Sequence, residues 1–215
     1  MKRLFDLDAP IIQAIAKLGN LMLANVWWVI CCLPLVTAGA ATAALHRVAF
    51  NIRENKSCTT GDFFRAFGSN FLKGTALWLI MLVLAVPIVC IYALTFSLTG
   101  QIAKLIAIGL FCGMLLLWLA TLQYVFSLTA YFENTVFATL RNAFALSLRH
   151  LRQTIICTAL MMIPAVAYLI SPEWFLRLLF IWVTVAPGVI VYGKSGQLKT
   201  VFSQYAEQPE ETEAE

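Results

Sequence analysis

The sequence predicts an all-α fold, a polytopic transmembrane helical bundle of five or six spans with short amphipathic helices in the membrane interface. Composition is the first observation: 61% of the 215 residues are hydrophobic and 12% charged, with a mean hydropathy of +0.83. Soluble domains carry about 25% charged residues, so this chain has too little polar surface to enclose its apolar one in water. The second is the length of the apolar runs, at 74–98, 102–131, 154–170 and 175–192, since a spanning helix needs about 20 mostly apolar residues. The third is the placement of charge: basic residues collect in alternate connections between those runs, as loops retained in the cytoplasm do.

The chain begins with Lys2 and Arg3, but Asp6 and Asp8 follow at once. No short apolar core closed by small residues suits a signal-peptide cleavage site, so the first apolar segment is expected to stay in the protein. It runs into "ANVWWVICCLPLVTAGAATAALHRVAF", which poses the main topological question. Pro34 lacks an amide donor and disfavours helix at Leu33. Thr37 is placed to cap a new helix whose first turn contains Gly39. If the chain turns back at Pro34, a second arm over 38–53 is about 24 Å long at 1.5 Å per residue, short for a ~30 Å hydrocarbon core. The small residues from Ala38 to Ala44 would let it pack closely against neighbours. The alternative is one kinked span with an external N-terminus, which puts Lys2, Arg3 and Lys17 on the unfavoured side.

The next connection holds Arg53, Lys56, Arg65 and Lys73; that after Tyr131 holds Arg141, Arg149 and Arg152; that after Tyr192 holds Lys194 and Lys199. Opposing them are only Lys104 and Arg177. The bias places the C-terminus in the cytoplasm and makes 74–193 two in–out–in hairpins. The expected spans are about 18–33, 38–53, 74–98, 102–131, 153–170 and 175–193, within one domain over 1–205. Residues 102–131 exceed the bilayer's need, which implies tilt or extension into the interface.

Three cytoplasmic segments have helical apolar periodicity: Phe64, Phe67 and Phe71; Phe137, Leu140, Phe144, Leu148 and Leu151; and Leu198, Val201, Phe202 and Tyr205. Each reads as an amphipathic helix lying beside a span. A shift of 77 residues superposes Ala66-Phe67 on Ala143-Phe144 and Pro87 on Pro164, a faint internal repeat of the kind transport folds carry. Residues 206–215, "AEQPEETEAE", lack periodicity and form an acidic, disordered tail.

The candidate functional polar residues are His46, Arg47 and Glu133. An arginine within a span is costly and faces a cavity or partner by default; alternatively Arg47, near the cytoplasmic end, snorkels to the interface while His46 packs between helices. Glu133 ends a span beside Asn134 and Thr135, where helix capping or an interfacial ion pair also accounts for it. Pro34, Thr37 and Gly39 form the candidate structural turn. Trp27, Trp28, Trp78, Trp118, Trp174 and Trp182 admit an aromatic ligand cage; against it, Trp78 and Trp174 lie near span ends, where aromatic belts are expected, and the others read as packing or lipid-facing residues. Pro87, Pro164 and Pro187 lie in apolar runs, where they kink helices and free a carbonyl.

The six cysteines show no metal-ligand spacing. The chain has no phosphate loop, no HExxH, no GxSxG and no acid deep in an apolar run. No catalytic residue, cofactor or metal is therefore expected, and an enzyme is disfavoured. The net charge of +4 is explained by topology and not by nucleic acid.

At "NVWWVICCLPLVTAGAATAAL", "DFFRAFGSNFLKG" and "YFENTVFATLRNAFALSLRH" the chain resembles the YesL family of bacterial integral membrane proteins, a domain of unknown function. The pattern rests most specifically on Asn25, Trp28, Leu33-Pro34, Thr37, Gly39 and Ala44-Leu45; it departs from the family at Gly39-Ala40, where Gly-Pro is frequent. The resemblance implies a multi-pass protein of the bacterial cytoplasmic membrane, mostly of Gram-positive bacteria, encoded near carbohydrate ABC-transport and two-component sensing genes. It supplies no catalytic residues. Two main expectations follow: an accessory component of carbohydrate uptake or sensing, partnered by the bilayer and by ABC-transporter membrane subunits or a sensor kinase, or a small permease or channel.

Overall fold

The computed structural model describes residues 10–56 and 58–206; the basic pair Lys2 and Arg3 and the acidic tail from 207 lie outside the described residues. Every described element is helical. In order these are α1 (Pro10–Cys32), a 3-10 turn (Leu35–Thr37), α2 (Ala38–Arg53), α3 (Thr60–Ser69), α4 (Phe71–Ser97), α5 (Gln101–Tyr131), α6 (Val136–Arg149), α7 (Leu151–Ile170), α8 (Pro172–Arg177), α9 (Leu179–Thr184) and α10 (Ala186–Ala206).

The chain turns back at Pro34. Trp28 Nε1 donates to Thr42 Oγ1 at 3.2 Å, and Lys17 Nζ donates to Asn55 Oδ1 at 2.7 Å. As the α1 position falls, its α2 partner rises, which is the register of an antiparallel helical hairpin. Thr37 does not cap α2 as its position predicted: it makes no side-chain cap bond to that helix. Its hydroxyl instead reaches back to the Cys31 and Pro34 carbonyls, satisfying acceptors left open at the end of α1. At its other end α2 stops in a complete Schellman motif, with Asn55 N–H donating to the Ile52 carbonyl and Lys56 N–H to that of Asn51. The motif needs a left-handed residue, and Asn55 supplies it at φ 56°.

The small-residue face of α2 packs as its composition predicts. Ala40, Ala41, Ala43 and Ala44 are fully buried. Gly39 has a stricter role than starting a helix. A Cβ there would collide with the Gly74 carbonyl and lie 2.6 Å from Trp78 Cβ, while a Cβ on Gly74 would lie 2.8 Å from the Ala40 Cα. Helices α2 and α4 therefore touch backbone to backbone, the approach that paired small residues allow.

Three helices, α4, α5 and α7, are long and apolar enough to cross a membrane. At 31 residues, α5 is about 46 Å long. The outer parts of α4 and α5 carry exposed Leu94, Phe96, Ile102 and Leu105, and α7 to α9 expose Leu169, Ile170 and Phe180. So much contiguous apolar surface is foreign to a soluble monomer and suits hydrocarbon.

The run expected as one span at 175–193 is segmented. Helix α9 ends at Thr184 and α10 begins at Ala186 because Pro187 has no amide for the Val183 carbonyl. Asn25 makes good the loss: its Nδ2 donates to that carbonyl at 2.8 Å from a fully buried position on α1. For the smaller break at Leu178 the structure offers no such cause.

The predicted amphipathic segments divide. On α6, Phe137, Phe144 and Leu148 are exposed while Thr139, Ala143 and Ser147 are buried, so its apolar face points outward, as in an interfacial helix. On α3, Phe64 is exposed, as is Phe71 at the start of α4, but Phe63, outside the predicted face, is fully buried. The segment at 198–205 is no separate helix. It continues α10, and Leu198, Val201 and Phe202 are core residues packed with Phe50, Tyr124 and Leu128. The internal repeat has an architectural counterpart: α3–α4 and α6–α7 each join a short amphipathic helix, through one residue, to a long apolar helix containing a proline.

Candidate functional site

Two of the three predicted polar residues share one cavity. Arg47 on α2 and Glu133 after α5 line an open space of about 740 Å³, together with Asp62, Arg65, Lys73 and Asn51. It lies at the end of the bundle where α2 ends, α4 begins and α5 ends, the same end as the Lys17–Asn55 contact.

Its geometry follows from helix termini. The last carbonyls of α5 have no intrahelical donors and form the negative end of the helix dipole. Arg47 Nη1 donates to the Ala130 carbonyl at 2.9 Å, and Lys73 Nζ approaches that of Phe132 at 3.4 Å. Arg47 thus caps α5 from α2. Neither Glu133 nor Glu54 forms an ion pair with it. Glu133 is exposed, and Glu54 is held by Lys56 and by Lys199, the latter at 3.0 Å. The hydrogen bonds from Lys56 and then Lys199 hold the Glu54 carboxyl below its ordinary value.

On the opposite wall, the Thr59 N–H and hydroxyl both donate to the Asp62 carboxylate, at 2.8 and 2.9 Å. They start α3 with a capping box and hold the Asp62 carboxyl below its usual range. Thr135 caps α6 by accepting from the Ala138 N–H at 3.3 Å, the role its place beside Glu133 predicted. The cavity therefore presents cations, carboxylates, amides and hydroxyls on fixed helix ends. Such a lining suits a polar, hydroxylated solute or the polar segment of a partner protein.

His46 belongs elsewhere. It lines a separate, half-open chamber of about 360 Å³ among α1, α2, α4, α5, α7, α9 and α10. Lys194 lines the same chamber and is buried, although the spacing of basic residues placed it in a cytoplasmic loop. The excess of basic residues over Lys104 and Arg177 survives its removal. Trp28, Trp78 and Trp182 also converge on this chamber, a grouping no local spacing could reveal. Arg53, another residue of the second arm, is committed to packing: it donates to Ser195 Oγ at 2.9 Å and to the Tyr192 carbonyl at 2.7 Å, and its guanidinium stacks on the Tyr192 ring.

Among the described residues no group of three or more histidine, cysteine, aspartate or glutamate side chains could hold a metal ion. Residues 21–97 match a family described as a protein of unknown function, DUF624. The matched stretch runs from α1 to the last residue of α4 and so contains the Pro34 turn, the Gly39–Gly74 contact and Arg47. No curated protein and no solved structure matches the chain.

Proposed function

We propose that the chain is a non-enzymatic, six-span protein of the bacterial cytoplasmic membrane, of the YesL kind, serving as an accessory component of carbohydrate uptake by an ABC transporter or of its sensing. The observation that carries this reading is the cavity around Arg47 and Glu133. Its two carboxylates, its cations and its amides sit at the end of the bundle to which the basic connections assign the cytoplasm. An open, polar cavity there suits a transporter subunit, a sensor kinase or a hydroxylated solute.

Six spans follow from the turn at Pro34, with α1 and α2 as the first pair, α4 and α5 as the second, and α7 with the α8–α10 path as the third. Both termini are then cytoplasmic. The short α2 crosses because α1, α4, α5 and α10 shield it from lipid. Copurification from native membranes in mild detergent tests the function. Stable recovery of ABC permease subunits or a sensor kinase, lost in Arg65→Glu, supports it. Solute flux through the purified protein alone in liposomes favours a small permease, the reading to which the half-open chamber around His46 lends some weight.

A further inference from the structure

We infer that the half-open chamber around His46 is a second binding site, selective for a small organic anion that also bears a hydroxyl group on an apolar body. This goes beyond the accessory role and rests on different residues. Three polar side chains line the chamber, each more than nine-tenths buried: His46, Gln123 and Lys194. The Thr42 carbonyl lies 2.9 Å from His46 Nδ1 and can only accept, so Nδ1 holds the proton and Nε2 is an acceptor. Nε2 is buried without a partner. Gln123 Nε2 donates to Thr158 Oγ1 at 2.7 Å, and Thr158 spends its own proton on the Thr154 carbonyl. Gln123 Oε1 is left as a second unpartnered acceptor.

Lys194 makes no hydrogen bond or ion pair with any described residue. Leaving one such acceptor unsatisfied in a low-dielectric interior is costly, and His46 Nε2 and Gln123 Oε1 leave two around one space, beside the buried Lys194. The complement of this lining is an anionic group for the ammonium, a hydroxyl to donate to His46 or Gln123, and an apolar body against Trp28, Trp78 and Trp182. A volume of about 360 Å³ lies at the small end of ligand pockets, roughly 300–1,000 Å³. Two prolines, Pro164 within α7 and Pro187 at the start of α10, form part of the wall. A free hydroxy acid and the glycerol phosphate headgroup of a lipid share this chemistry.

The test uses 4-bromomandelate, whose bromine quenches tryptophan fluorescence, on the full chain in phosphatidylcholine nanodiscs. Saturable quenching is expected, at least tenfold weaker for the neutral 4-bromomandelamide and for Lys194→Met, and weaker for 4-bromophenylacetate, which lacks the hydroxyl. If phosphatidylglycerol in the nanodisc abolishes the saturable phase, the headgroup is the natural source; if it does not, a free acid is. Equal quenching by acid and amide in the wild-type protein, or none that saturates, would overturn the inference, and that comparison needs no variant to fold.

Discussion

Arg47 of α2 and Ala130 of α5 are joined by a hydrogen bond of 2.9 Å from guanidinium to carbonyl, so the arginine of the second arm caps the C-terminus of a helix 83 residues later in the chain. A charged donor on a backbone acceptor contributes roughly 1.5–3 kcal/mol. Arg47→Leu should lower stability in detergent by that order while leaving insertion intact. Because the bond is single and not bidentate, Arg47→Lys should recover a good part of it. Thermal unfolding followed by helical circular dichroism measures both; a leucine variant as stable as wild type would deny the cap.

The close crossing of α2 and α4 makes a sharper prediction. Gly39→Ala places a Cβ against the Gly74 backbone, an overpacking that costs about 1–3 kcal/mol or more. Gly109→Ala meets nothing within 4 Å and should stay within about 1 kcal/mol of wild type. Comparable losses from the two substitutions would count against backbone contact at Gly39.

The Asn25 amide and Pro187 should be coupled. Asn25→Leu leaves the part-buried Val183 carbonyl without its donor, at roughly 1–3 kcal/mol. Pro187→Ala supplies the missing amide donor, so the double variant should be less destabilised than the sum of the two singles. A double-mutant cycle gives the interaction term directly, and strict additivity would refute the pairing.

Acid should loosen the contact between the end of α2 and α10. The Glu54 carboxyl is held below its ordinary value of 4.5 by Lys56 and Lys199. A depressed folded-state pKa stabilises above the unfolded value and loses that contribution as pH falls through the folded one. The affected window therefore lies below about pH 4.5. Glu54→Gln should flatten the stability profile there, and added salt should reduce the difference for this partly exposed pair. An unchanged profile in Glu54→Gln would show that another group sets the acid limit.

How far the sequence could be read depended on where each partner lay. Pro34 acts on its own neighbours, so the turn was visible, as were α4, α5 and α7, whose apolar runs are continuous. The Thr135 cap is equally local. Thr37 misled because a hydroxyl at a helix start can serve either the new helix or the old one, and only the geometry decides. The strict need for Gly39 is set by Gly74, on another helix. A backbone carbonyl as the partner of Arg47 leaves no trace in any side chain. Lys194 looked like a loop charge because Lys199 follows it, yet one helix carries both, turning Lys194 inward and Lys199 toward Glu54.

In the proposed topology α1 and α2 form a membrane hairpin with both ends in the cytoplasm. Single cysteines at Lys17, Leu35 and Asn55, probed with a membrane-impermeant maleimide in intact cells and in inverted vesicles, test it most directly against the labelling of the parent protein. Lys17→Cys and Asn55→Cys are expected to react only in inverted vesicles, and Leu35→Cys, exposed at the turn, only from outside the cell. Labelling of Lys17→Cys from outside, with Asn55→Cys still protected, would contradict it and leave a single kinked span.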